Sequence, residues 1–250
     1  VIPAKLGYKM PPEWAPHART FMAWPLREAM WPGPFEEILE AFADAARKIA
    51  QFESVTVIAR PDVAAQAAEY CGPDIHILEL VHDDSWTRDN GPTFVVNDKG
   101  EIAGVNWIFN AWGGKYPAEN DNMVTPGILS HFGVRRFDAP VVMEGGSIHV
   151  DGEGTLLSTE ECLLNENRNP DLSKEQIEDI LKQYVNVEKF IWLKNGWDGD
   201  DTDGHVDNVA CFAHPGAVLI QVCKDKNDPN YTISEENLDI LRNSTDARDR

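Results

Sequence analysis

His205 and Asp207 stand two residues apart inside a crowded acidic stretch, WDGDDTDGHVDN, which runs from Trp197 to Asn208. Asp89 sits in a second such stretch, DDSWTRDNGP from Asp83 to Pro92, and Glu144 opens a third, EGGSIHVDG, which ends at Gly152. Carboxylates gathered this densely either face water or hold something cationic, because two of them aimed into one pocket repel each other and each loses its hydration. A guanidinium meets that demand: it is flat, permanently charged, and presents its donors in a fork that fits two carboxylates. Asp89 and Asp207 are the candidates to grip it. On an extended strand His205 and Asp207 share a face. A histidine there could pass a proton to a departing amine and then take one from water. Glu144 is the natural partner to orient that ring and raise its pKa.

Each residue also has a plainer reading. An aspartate before Asn-Gly often makes a turn or cap, and a histidine in a turn can be hydrogen-bonded there and do nothing more. Trp86 and Trp112 flank the acids and could wall an alkyl guanidinium by cation–π contact, although Trp112 serves equally well as core. Trp107 and Trp192, in strand-like runs, read as core. Asp200 and Asp201 read as solvated, and Asp201 is also placed to receive a second, distal positive charge on a substrate. A metal centre is the rival chemistry, since His205-x-Asp207 and His149-x-Asp151 resemble ligand pairs. No second histidine follows at i+4, however, no cysteine cluster accompanies them, and no calcium loop aligns, so no metal is expected.

The composition, 42% hydrophobic and 26% charged over 250 residues, is that of a globular chain able to bury a sizeable core. A formal net charge of −20 argues against nucleic acid or an anionic membrane as partner, since either needs a basic face, and favours a small cationic substrate. Cys71, Cys162, Cys211 and Cys223 show neither C-x-x-C pairing nor zinc spacing. Cys211 and Cys223 lie in apolar runs and are expected to be buried free thiols, which places the protein in the cytoplasm. No apolar run approaches a membrane span and the first residues carry no signal-peptide pattern.

The acidic stretches need a scaffold that brings them together. Thr20–Trp24 is a short apolar run ended by Pro25; Phe35–Phe52 reads as an amphipathic helix, Val55–Arg60 as a strand, Pro61–Tyr70 as a helix and His76–Leu80 as a strand. From Asp89 a regular order begins: a hairpin of Thr93–Val96 and Ile102–Phe109, a helix near Asn122–Phe132, and a strand over Arg135–Met143. It returns from Ser147 with a hairpin, a helix over Lys174–Tyr184 capped by Ser173 and Gln176, and a strand over Glu188–Leu193. From His205 it starts again, with strand Val209–Ala213 and a helix near Glu235–Arg242 after a polar loop at Lys224–Asn230. The acidic motif recurs at intervals of 55 and 61 residues, counted from Asp89 to Glu144 and from Glu144 to His205. Each copy precedes a hairpin, and repeated units set around an axis would bring the three motifs together. A homo-oligomer is compatible with all of this.

Five ordered motifs carry a resemblance: WTRDNGP from Trp86, FNAWGGKY from Phe109, EGGSIHVDG from Glu144, TEECLLNENRNP from Thr159 and DTDGHVDN from Asp201. Together with MPPEWAPHARTFMAWP from Met10, they make the chain resemble the agmatine deiminase family from Met10 to its end. The resemblance implies a five-bladed pseudosymmetric α/β propeller of ββαβ modules, the pentein type, here a single domain over residues 1–250 that lacks its C-terminal part. It implies that a cysteine thiolate attacks the guanidinium carbon of agmatine while Asp89 and Asp207 hold its nitrogens. His205, paired with Glu144, then protonates the leaving ammonia, and a covalent amidino-thioether is hydrolysed to N-carbamoylputrescine without metal or organic cofactor. In the family the nucleophile lies in a GGGNIHC-type motif. EGGSIHVDG echoes it with Val150 at the cysteine position, so residues 1–250 alone are expected to be inactive. The alternatives are a deiminase of arginine or peptidyl arginine, and a polyamine-binding protein without chemistry should Arg250 be the true C-terminus.

Overall fold

A computed structural model describes all of residues 1–250, and its fold is mixed α/β. Strands β1 (Arg19–Ala23), β2 (Ser54–Ala59) and β3 (His76–Glu79) form a parallel sheet in that order, with Phe21 opposite Thr56 and Val57 opposite Ile77. Parallel neighbours need crossovers, which the helices Phe35–Ile49 and Ala64–Cys71 supply. The first of these buries Leu39, Ala43 and Ala46 on one face, at helical spacing, against Val55 and Val57. It ends three residues before the predicted Phe52, whose side chain is 89% exposed and gains nothing from continuing the turn.

A different unit then repeats. β4 (Thr93–Val96) and β5 (Ile102–Ile108) pair antiparallel, and β6 (Arg135–Val142) joins β5 in parallel after the helix Val124–His131. β7 (Ile148–Val150), β8 (Thr155–Thr159), the helix Lys174–Val185 and β9 (Lys189–Leu193) follow the same order. The predicted capping box is present: the Ser173 hydroxyl accepts from the Gln176 amide while the Gln176 side chain accepts from the Ser173 amide. A hairpin of β10 (Ala210–His214) and β11 (Ala217–Ile220) leads to the helix Pro229–Arg242. One apolar cluster, including Val105, Trp107, Phe137, Met143, Leu156 and Leu181, runs through both three-stranded units and welds them together. No helix is long and apolar enough to cross a membrane.

Three local expectations are corrected. The last helix starts at Pro229, six residues ahead of the predicted Glu235, because Asp228 caps it and proline suits a first turn. Cys211 and Cys223 are only partly buried, since Cys211 belongs to a two-stranded hairpin and Cys223 lies beyond its end. His205 and Asp207 do not lie on a strand: His205 caps a single 3₁₀ turn, Val206–Asn208.

That last correction is general to the site. A helical turn precedes the first strand of each hairpin: Thr87–Asn90 before β4, Gly145–Ser147 before β7 and Val206–Asn208 before β10. The middle turn packs against both of the others. Residues far apart in sequence therefore meet where these turns touch.

Candidate active site

Asp89, in the first turn, is 9% exposed and both of its oxygens are claimed. Oδ1 accepts from the Gly146 amide at 2.9 Å and Oδ2 from the Trp112 indole at 3.0 Å. The indole reaches it from an unusual backbone, because Ala111, Trp112, Gly113 and Gly114 all have positive φ, at 54, 56, 94 and 79°. Two residues with side chains held left-handed cost about 1–2 kcal/mol each, which the surrounding packing must offset. Trp112 packs edge-on against Phe109 and Tyr116, with ring centroids 5.2 and 5.9 Å away.

Glu144 and His205 are buried with almost no solvent access. Glu144 Oε1 accepts from Arg168 Nε at 2.8 Å, while Oε2 faces His205 Nε2 at 3.9 Å and neither atom has a hydrogen-bond partner. On the other edge of the ring, His205 Nδ1 lies 3.8 Å from Asp89 Oδ1 and 3.9 Å from Asp207 Oδ1. Gly146 forms the floor. A β-carbon there would stand 2.6 Å from both Asp207 Oδ2 and His205 Nδ1 and 2.9 Å from Asp89 Oδ1. Three functional groups thus converge on one point that only glycine leaves open.

The electrostatics follow from crowding. Burial by itself would lower the His205 pKa, but the Cys162 sulfur, Glu144 and Asp89 outweigh it and push it up to about 11. Burial, only partly offset by His205, pushes Asp207 up to about 6 and raises Asp89. The Arg168 guanidinium stays charged because Glu144 overcomes its burial. The cations that stand nearest the carboxyl groups of Asp89, Glu144 and Asp207 are His205 and Arg168.

Cys162, missed in the sequence, joins this cluster: its sulfur and one ligand atom each of Glu144 and His205 lie within 4.8 Å of one another. Those three donors fit a resident metal poorly. A thiophilic cation would have to displace a proton that His205 holds up to about pH 11, and another from a thiol raised by burial. The Arg168 guanidinium already occupies Glu144 Oε1.

The structure thus brings Asp89, Glu144, His205, Asp207 and Trp112 together. Trp86 opens the Asp89 turn, is 46% exposed and stacks on Trp31 at 5.6 Å. Asp201 lies further out, with its side chain 63% exposed, where it accepts from the Tyr116 hydroxyl at 2.8 Å. Lys115 bridges Asp201 and Asp203, tying that loop to the left-handed turn. Sequence reasoning passed over Arg168 and Gly146. The Arg in NENRNP was visible as a lone cation among polar residues, but its partners are distant in sequence and no local pattern reveals them.

The sequence profile of the Porphyromonas-type peptidyl-arginine deiminases matches residues 9–250. An agmatine deiminase from Stutzerimonas stutzeri is 48% identical over 256 residues, which cover 99% of this chain and 69% of that protein. The solved agmatine deiminase of Enterococcus faecalis superposes with a TM-score of 0.96 at 42% identity, covering 100% of this chain and 70% of that one. An agmatine deiminase of C. jejuni, solved with substrate bound, superposes with a TM-score of 0.87 at 31% identity, over 94% of this chain and 71% of that one. By profile, sequence identity and superposition, this chain belongs to the agmatine deiminase family, among the Porphyromonas-type peptidyl-arginine deiminases.

Proposed function

We propose that this site hydrolyses agmatine to N-carbamoylputrescine and ammonia. The observation that carries the reading is the convergence of Asp89, Asp207 and His205 on the open point above Gly146. A guanidinium there donates its N–H groups to Asp89 and Asp207. A thiolate adds to the central carbon, the bond to one terminal nitrogen breaks, and His205 gives that nitrogen the proton with which it leaves as ammonia. The neutral imidazole then takes a proton from water as the water oxygen attacks the same carbon, and the thiolate departs. Glu144 keeps the ring in place through both steps.

Cys162 is a poor candidate for that thiolate, being fully buried with its thiol raised by burial. In our reading the nucleophile comes from the part of the relatives' length that residues 1–250 do not span, and the same part completes a five-bladed propeller. The repeated hairpin, helix and parallel strand support that architecture. Asp201, outside the cluster with its side chain 63% exposed, is placed to favour the bare amine of agmatine over the carboxylate of free arginine. Four unpaired cysteines suit a reducing cytoplasm.

The full-length protein is expected to release ammonia from agmatine, and Asp89→Ala or His205→Ala to lower kcat/KM by at least about a thousandfold, as loss of a grip or of the general acid requires. Wild-type rates in either variant, or faster turnover of free arginine than of agmatine, would end this assignment.

A further inference from the structure

Arg168 touches none of the three groups around the open point, yet every segment that carries one of them or its partner rests on it. Its side chain is completely buried. Nε donates to Glu144 Oε1 at 2.8 Å. Nη1 donates to Asn167 Oδ1 at 2.7 Å and to Asp203 Oδ2 at 3.0 Å, and Nη2 to the Thr202 carbonyl at 2.7 Å. Thr202 and Asp203 lie three and two residues ahead of His205, whose own amide donates to the Thr202 hydroxyl at 3.1 Å. One planar group therefore fixes both the carboxylate that faces the imidazole and the loop that delivers it.

The third segment rests on the same plane. The α-hydrogen side of Gly113 faces the Arg168 pair so closely that a β-carbon would come within 2.3 Å of Asn167 Nδ2 and 3.0 Å of Arg168 Nη1. Gly113 follows Trp112, the donor to Asp89. Asn110 Nδ2 also donates to the Asn167 carbonyl at 2.9 Å, and Asn167 Nδ2 to Asp203 Oδ2 at 2.9 Å.

We infer that Arg168 is a positioning residue that sets the distance between Glu144 and His205 and holds the Trp112 turn in register with them. The inference rests on the deiminase reading only for its kinetic consequence. A guanidinium suits the task and an ammonium does not, because four acceptors spread around one plane need a rigid fork of donors rather than one compact charge. A lysine there keeps the charge that balances Glu144 and removes the geometry.

The test compares the full-length wild type with Arg168→Lys. Kinetics with agmatine are expected to show kcat lowered roughly 10- to 100-fold with KM moved less than about threefold, as loss of an orienting partner does. The substrate-free readout is the titration of His205 followed by NMR, which is expected to move to lower pH in Arg168→Lys as Glu144 drifts from the ring. An unchanged His205 titration overturns the inference whatever the kinetics do. So does a loss confined to KM, which would make Arg168 a substrate contact. A wild type inert toward agmatine would sink the reaction assigned above, while the titration would still decide the role of Arg168. Asp203→Asn, which loosens the loop without touching Glu144, is expected to give a smaller shift in the same direction.

Discussion

Asp207 is the residue in which function and stability pull against each other. Its carboxyl, although its side chain is 36% exposed, is pushed up to about 6, first by loss of hydration and then by Asp89 nearby, while its unfolded value stays near 3.9. A carboxyl raised in the folded state favours folding while protonated, so that contribution is present below about 3.9 and is lost as pH rises through about 6. Asp207→Asn is therefore expected to melt above the wild type at pH 8, with the difference shrinking as pH falls toward 5, and to lose agmatine binding. Scanning calorimetry at the two values checks the first half and isothermal titration the second. A difference in melting that does not change with pH removes the linkage. For the wild type, the same protonation predicts that activity falls as pH drops through about 6. The four acids and bases of this cluster were legible in sequence because carboxylates crowded beside a histidine and paired glycines stand out as local patterns. Arg168 and Cys162 were not, because their importance lies in neighbours that the chain brings in from elsewhere.

At the scale of elements, the decisive piece is the left-handed turn from Ala111 to Gly114. Helix Lys174–Val185 announces itself by its cap and its apolar face, and the alternating strands by their period, since both signals are local. A run of positive φ through Ala111 and Trp112 contradicts local preference and exists because Trp112 bonds Asp89 and Gly113 seats on Asn167 and Arg168. Such departures from local rules concentrate where function imposes them. The same logic separates two adjacent glycines. Gly113 has φ 94 and meets Asn167 closely, whereas Gly114 has φ 79 and nothing within 4 Å of its missing side chain. Gly113→Ala is expected to cost about 2 kcal/mol or more, a fall of roughly 4 to 8 °C in Tm for a chain of this size. Gly114→Asn, in a conformation asparagine tolerates, is expected to fall by less than half as much. Equal melting of the two variants would show that the contact with Asn167 and Arg168 carries no strain.

At the scale of the whole molecule, the repeating order of hairpin, helix and strand was readable because each unit restates the same local signals. The parallel pairing of β1, β2 and β3 was readable only as an α/β rhythm, since pairing direction is set by crossovers rather than by any residue. What the full chain adds to the site is its field. Of the 42 acidic residues only Asp84, Asp89, Asp121, Glu144, Asp151 and Asp246 are buried, so most of the net charge of −20 faces solvent. A field spread over a surface attracts a cation from a distance and is screened once the Debye length shrinks, from about 30 Å at 0.01 M salt to about 8 Å at 0.15 M. The buried cluster at Asp89 and Glu144 is screened far less, so the chemical step should be indifferent to salt. For agmatine, kcat/KM is therefore expected to fall several-fold between those ionic strengths while kcat stays within about 20%. Stopped-flow or initial-rate measurements in sodium chloride check this, with an uncharged co-solute of equal osmolality as the control. A salt-dependent kcat with constant KM would instead assign the charge effect to the buried groups, and the surface field would then play no part in delivering substrate.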